Sequence, residues 1–409
     1  MFKPMYLEQR QNGWDYSERI YKMIFSRTFS FVASVALVSF ICGVMRVSAA
    51  EEAVNDASAQ TRFEEFSSKG DSFTIEELLK KRKVPGVSVA VIRDYKIAWA
   101  QGYGIADVET GDVVTTDTLF QAASISKPVA AMAALRAVQD GRFDLDDKIN
   151  NLLKSWQLPE NELTNARAVT PRMLLSHTGG TTVHGFPGYH PDRPVPTVPQ
   201  LLSGEKPSNT SAVFVNLAPT TEWRYSGGGT VIMQLALTDL YQKDFPSIVR
   251  ELVLDPIGMT QSGFDQPLSP ERDKTAARAH SGRAEAKDAK WHVYPELQAA
   301  GLWTTPTDLC RFGLEVMNAH RGTSTTVLTQ ASAQLMLTPV EHGDYGLGFS
   351  VSKKPGAIRA GHGGSNWGFK CQLEFNVDSG NGLCIMTNGD SGSAIIRECQ
   401  LRLASVYGW

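Results

Sequence analysis

The chain is poor in cysteine and has no long run of like charge. Five cysteines in 409 residues are too few for the disulfide framework of a small secreted scaffold. No C-x-x-C or H-E-x-x-H spacing occurs and the eight histidines are scattered, so neither a metal site nor a cofactor is expected. With a formal net charge of −3 and no basic block, the electrostatic footprint of a nucleic-acid binder is missing. G-x-S-x-G is absent, which excludes the nucleophile turn of an α/β-hydrolase. There is no internal repeat and no low-complexity tract. What remains, 42% hydrophobic and 20% charged, is the balance of a globular protein with one large core or two ordinary domains.

Residues 1–50 read as an export signal region. Arg27 precedes the apolar "FSFVASVALVSFICGVM", and "RVSAAEE" offers small residues at Ser48, Ala49 and Ala50 for cleavage. The apolar stretch is near the lower limit for a spanning helix, about 17 residues, so a single-pass anchor is the alternative to a periplasmic or secreted protein. The segment ahead of Met23 is long for a leader, which makes Met23 an alternative start. After cleavage no stable membrane anchor is expected.

A polar linker (51–70) leads to "SFTIEELLKKRKV", apolar at helical spacing, and then to "PGVSVAVIRDYKIAWAQGYG", two strand-like runs around the turn "RDYK". From about 124 to 295 the pattern is mostly helical, broken by Pro/Gly-rich surface stretches. Thr305, Pro306 and Asp308 stand in cap positions of a later helix, after which strands return. The expected fold is α+β, an antiparallel sheet flanked by helices and built from 71–122 and 296–409, with a mostly helical domain, 123–295, inserted. Cys371 and Cys384 lie on two runs joined by "DSGNG". Pairing outward from that turn sets Cys384 opposite Phe375 and Cys371 opposite Asn388, so free buried thiols are expected.

Chemistry enters with "QAASISKPVAAMAAL", residues 121–135, which places a lysine in an apolar run. Proline is tolerated only in a helix's first turn, so Pro128 puts Ser124 at or near the N-terminus with Lys127 one turn on, on the same face. Amides and the macrodipole at a helix start favour negative charge. Desolvation lowers a lysine's pKa, and a neutral lysine can accept a serine proton. The alternative is a capping serine and a lysine that reaches solvent. S-x-x-K alone is weak, since Ser203 and Lys206 repeat it in a loop. "NGDSGS" around Ser391 is similar to a trypsin-like signature, but no matching histidine segment lies upstream, and a turn with a helix cap is the expected reading.

Two further segments suit a site. "EWRYSGGGTVIMQLAL" sets Tyr225 before three glycines and an apolar helix, and "RAGHGGSNWGF" sets His362 beside Gly363 and Gly364 at a strand end. Taken alone, Tyr225 suits a core aromatic and His362 a surface histidine.

In order, these pieces resemble the serine β-lactamase and penicillin-binding-protein superfamily, in particular the branch of class C β-lactamases, D,D-carboxypeptidases and family VIII carboxylesterases. Ser124-Ile125-Ser126-Lys127 matches its S-x-x-K, Tyr225-Ser226-Gly227 its Y-x-N, and His362-Gly363-Gly364 its K-T-G or H-x-G. "LLSHTGG" and "AGLWTTPTDL" are similar to its recurring segments. The resemblance implies a nucleophilic Ser124, a base role shared by Lys127 and Tyr225, and an oxyanion held by the amides of Ser124 and Ser365. Gly227 departs from the family's asparagine, which binds the acylamino group of a peptide or penicillin. His362 departs from the β-lactamase lysine, which weakens recognition of a substrate carboxylate. Both departures point toward small esters as substrates, with β-lactams turned over slowly. D-Ala-D-Ala peptides or β-lactams are the second expectation, and a penicillin-binding sensor that stays acylated is the third.

Overall fold

The apolar run after Pro85 forms the middle of a sheet in the computed structural model, which describes residues 56–68, 71–354 and 357–409. The expected export signal lies outside the described residues. Seven strands make the main sheet: β1 (Gly86–Arg93), β2 (Lys96–Asp107), β3 (Asp112–Val113), β4 (Ser350–Lys354), β5 (Ala357–Asn366), β6 (Phe369–Asn376) and β7 (Asn381–Thr387). Their order is β3-β2-β1-β7-β6-β5-β4, antiparallel throughout. N-terminal and C-terminal segments therefore meet at β1 and β7, as the α+β reading requires.

Strand β1 is buried on both faces, and its period of two sends Val87, Val89 and Val91 to one core and Ala90 and Ile92 to another. The first core is closed by α1 (Ala57–Glu64), α2 (Ile75–Arg82) and, from the end of the chain, the later helix Gly392–Tyr407, through Phe63, Leu78, Ile395 and Leu403. Helix α2 starts on a capping box, in which the Thr74 hydroxyl accepts from the Glu77 amide and the Glu77 carboxylate accepts from the Thr74 amide. On the opposite face lie α3 (Ser126–Gln139), α4 (Gly227–Tyr241), the short α5 (Leu297–Ala300) and α6 (Pro306–Arg321). Helix α6 is capped as expected, Thr305 accepting from the Asp308 amide with Pro306 in the first turn. One continuous core joins Ile92 of the sheet to Met132 of α3 and Ile232 of α4, and the described residues belong to one compact unit. The C-terminal helix Gly392–Tyr407 is α7.

Two expectations are corrected. Much of the expected linker is structured: α1 is followed by a strand, Glu65–Ser68, paired with Asp71–Thr74. The segment's main apolar anchor is one aromatic residue, Phe63, which is fully buried with its ring 5.2 Å from that of Trp99, and the Tyr103 hydroxyl donates to Glu64 at 3.0 Å. A single buried ring in a polar segment leaves no periodic trace. In the β6–β7 hairpin Cys384 faces Leu373 and Cys371 faces Met386, two residues from the expected register. The Asn376 side chain accepts from the amides of Asp378 and Ser379, and this Asx turn closes the loop between Asn376 and Asn381. A slip of two preserves the faces. No disulfide joins Cys310, Cys371, Cys384 and Cys399, all of which are buried.

Candidate active site

Ser124 stands in a single 3₁₀ turn, Ala123–Ile125, that runs into α3. Pro128 is the third residue of that helix, where its missing N–H leaves no bond unmade. The turn is strained at Ala123, whose φ of +48° lies in the left-handed region. It is held there from several sides. The Ala122 amide donates to Leu302 O at 2.8 Å, and the Cys371 thiol donates to Ala122 O at 3.0 Å. The Ser126 hydroxyl donates to Ala123 O at 2.6 Å. Gly364 presses on the same turn: a Cβ there would stand 2.4 Å from Ala122 O and 3.1 Å from the Ala123 Cβ. The glycine thus lets strand β5 lie directly against the serine turn.

Lys127 is 3% exposed. Its Nζ is 3.0 Å from Ser124 Oγ and donates to Ala299 O at 2.7 Å. Burial lowers its pKa to about 7, so a large neutral fraction exists near neutral pH. The Tyr225 ring lies below the same nitrogen, 4.9 Å from Nζ to centroid. Burial pushes the Tyr225 pKa up to about 12, against a smaller opposing effect of the Ser124 hydroxyl. The three residues that the sequence singled out for proton transfer and attack therefore meet at one point. Ser391 and the second S-x-x-K pair do not join them. The Ser391 hydroxyl donates to Gly282 O, without capping α7, and Ser203 accepts from the Trp156 indole.

His362 faces the same site, its ring 6.1 Å from that of Tyr225. It lies within β5 and not at its end. Its Nδ1 is 2.6 Å from Gly363 O and its Nε2 is 3.1 Å from the Tyr345 hydroxyl. A carbonyl can only accept, so Nδ1 carries the proton of the neutral ring, and the Tyr345 hydroxyl, also 3.0 Å from Gly348 O, has one proton for that carbonyl and Nε2 together. Burial, then the Lys127 charge, lowers the His362 pKa to about 3, which leaves the ring neutral. The β4–β5 ladder ends at Ser350 and Gly361, so from His362 to Asn366 strand β5 is paired only by β6. Gly363 and Ser365 are exposed along this free edge, and Ser365 Oγ accepts from Lys370 Nζ at 2.6 Å.

A family model described as Beta-lactamase matches residues 74–405. The chain belongs to the β-lactamase family. Esterase EstB of Burkholderia gladioli is 28% identical over 216 residues, 51% of this chain and 54% of that protein, so the chain matches about half that relative's length. Penicillin-binding protein 4 of Amycolatopsis lactamdurans is 26% identical over 80% of this chain and 88% of its own. The D-alanine carboxypeptidase AmpC of Burkholderia cenocepacia has the same fold, with a TM-score of 0.65 at 18% identity, over 86% of this chain and 99% of that one.

Against that family's pattern, the departure at Gly227 has a steric cause. A Cβ there would stand 2.8 Å from the Phe186 ring and 3.0 Å from His184 O. The Gly227 and Gly228 amides donate to His184 O and Val183 O, each at 3.0 Å, which ties the loop around 183–186 over the start of α4. The space an asparagine side chain would need is thus taken by Phe186.

Three participants were not assigned from the sequence. Ala299, which anchors Lys127, stands immediately before the segment "AGLWTTPTDL", and His177 lies in "LLSHTGG". Both segments match recurring family stretches, but no residue type in them announces a role. Phe186 has no signal at all, because its place over Gly227 depends on how a Pro/Gly-rich loop packs. His177 is 2% exposed, and its ring lies 4.3 Å from Tyr225 and 4.9 Å from Tyr345, centroid to centroid.

Proposed function

We propose that the chain is an exported serine hydrolase that cleaves small esters through an acyl-enzyme on Ser124. The observation that carries the reading is the 3.0 Å approach of Lys127 Nζ to Ser124 Oγ, made by a lysine whose pKa is lowered to about 7. Neutral Lys127 takes the serine proton as Oγ attacks the ester carbonyl. The oxyanion is received by the Ser124 and Ser365 amides, the second carried against the nucleophile's turn by Gly364. Collapse expels the alkoxide, which takes a proton from the Lys127–Tyr225 pair. Water then attacks the acyl-enzyme by the same route and restores Ser124. Tyr225, pushed up to about 12, holds its own proton near neutral pH, which favours Lys127 as the first base.

Two features of the site favour esters. Phe186 occupies the place of an amide-binding side chain, and neutral His362 offers no cation to a substrate carboxylate. Purified protein is expected to release p-nitrophenol from short acyl esters, with Ser124→Ala inactive. Equal rates in the two would overturn the reading.

D-Ala-D-Ala peptides or β-lactams are the second reading, supported by the match to a penicillin-binding protein over 88% of its length. Steady release of D-alanine from a muropeptide pentapeptide would select it. A cephalosporin adduct that persists in intact-mass spectra would select a sensor. Export rests on the N-terminal sequence. Among the described residues, no helix is long and apolar enough to cross a membrane.

A further inference from the structure

His177 grips the chain on both sides of Tyr225. Its carbonyl oxygen accepts from the Arg224 amide at 2.9 Å, and its ring Nδ1 accepts from the Ser226 amide at 3.2 Å. Between these two bonds its ring lies 4.3 Å from the Tyr225 ring, tilted by 40°. The two residues flanking the phenol and the phenol itself are thus fixed by one residue, through its main-chain carbonyl and its ring. His177 reaches this position through a φ of +61°, a backbone conformation in which Asn, Asp and His are the side chains most enriched besides glycine.

We propose that His177 is a positioning residue that sets the Tyr225 phenol against Ser124 by bracketing it, with Nδ1 as the essential hydrogen-bond acceptor. The proposal rests on the assignment of Tyr225 to proton transfer. An imidazole accepts at Nδ1 only when the ring is neutral with its proton on Nε2, and the Ser226 amide facing Nδ1 selects that tautomer. Burial, then Lys127, His362 and His184, lower the pKa of His177 well below its ordinary value. No other polar side chain could take this place without both an acceptor two bonds beyond Cβ and tolerance of a left-handed backbone. Asparagine has both, and glycine has only the second.

The test compares H177N with H177G, both of which fit the left-handed backbone while only asparagine keeps an acceptor. On p-nitrophenyl acetate, H177G is expected to lower kcat by about 10- to 100-fold with KM held within about threefold. H177N is expected to stay within about fivefold of wild type, since its Oδ1 can accept the Ser226 amide. In a Y225F background H177G should cost less than about threefold more, because the two changes remove one function. Wild-type kcat in H177G overturns the proposal. So does an H177N as impaired as H177G, or the same factor lost with and without the Tyr225 hydroxyl, which marks a structural role. If H177G does not fold, H177N decides by whether it keeps near-wild-type kcat. An unimpaired Y225F would refute the role of Tyr225 itself, a result separate from all of these.

Discussion

The ammonium nitrogen of Lys127 stands 3.0 Å from the Ser124 hydroxyl in a pocket that supplies one further polar contact, the Ala299 carbonyl at 2.7 Å. A carbonyl orients the amine without a full compensating charge, so the burial penalty prevails and the pKa falls to about 7. Under the acyl-transfer reading only neutral Lys127 accepts the proton. kcat/KM for a short ester should therefore rise about tenfold per pH unit below about 7 and level off above it. His362, lowered to about 3, adds no step in that range, so H362Q should keep the same limb. K127R, which stays charged, is expected to lose about 100- to 10,000-fold in kcat. A pH profile flat from 5 to 8 would remove Lys127 from the base role.

Restoring the family's asparagine at position 227 should damage the protein before it changes specificity. Its Cβ would meet the Phe186 ring at 2.8 Å and His184 O at 3.0 Å, and overpacking of this kind costs about 1–3 kcal/mol. G227N alone is expected to lower the thermal midpoint with no gain on amide or β-lactam substrates. G227N with F186A removes the ring and should recover part of the loss. If G227N is as stable as wild type, the loop over α4 is not the barrier that the structure draws.

These outcomes separate what residue patterns could reveal from what they could not. Pro128 made the helix start legible because its ring and missing N–H act locally, and with that start came the Ser124–Lys127 pair. The strand-like run of β1 and the cap at Thr305 were legible for the same reason. The strain at Ala123 was not, because Leu302, Cys371 and Gly364 impose it from positions 179 to 248 residues further along the chain, and no local rule reports such contacts. Phe186 escaped notice likewise, since only the packed loop brings it over Gly227. His177 was visible as part of a recurring segment, yet its function is carried by Nδ1 and a main-chain carbonyl acting on two amides, which a sequence does not display.

Gly364 tests whether β5 must lie against the nucleophile's turn. A Cβ at this position would come within 2.3 Å of Cys371 Sγ and 2.4 Å of Ala122 O, and neither the sulfur in its packed hairpin nor the carbonyl can withdraw freely. G364A should push β5 and the Ser365 amide away from Ser124. Losing one oxyanion donor costs roughly 100- to 1000-fold in kcat, and that is the expected fall on p-nitrophenyl acetate, with a native far-UV circular dichroism spectrum. By contrast G363A meets only the flexible Gln372 side chain, at 3.0 Å, and should stay within about threefold of wild type. Equal losses in the two variants would argue against the contact between Gly364 and the serine turn as the reason for that glycine.

Glu296 gives a stability prediction with a definite sign. It is fully buried just before α5, the helix that carries the Ala299 anchor, and burial raises its pKa to about 8. In an unfolded chain a glutamate titrates near 4.3, roughly. Between these two values the folded protein holds a proton that the unfolded chain has released, so stability falls as pH rises through that window and levels off above about 8. Below about pH 4 both states are protonated and the group contributes no slope. E296Q keeps the shape of the neutral side chain and cannot ionise. Its thermal midpoint should equal that of wild type near pH 4 and exceed it by several degrees at pH 8.5, where the wild-type carboxylate must either bear its buried charge or unfold. Differential scanning calorimetry across pH 4 to 9 measures this directly, and a difference between the two proteins that does not grow with pH would show that Glu296 releases its proton without cost to the fold.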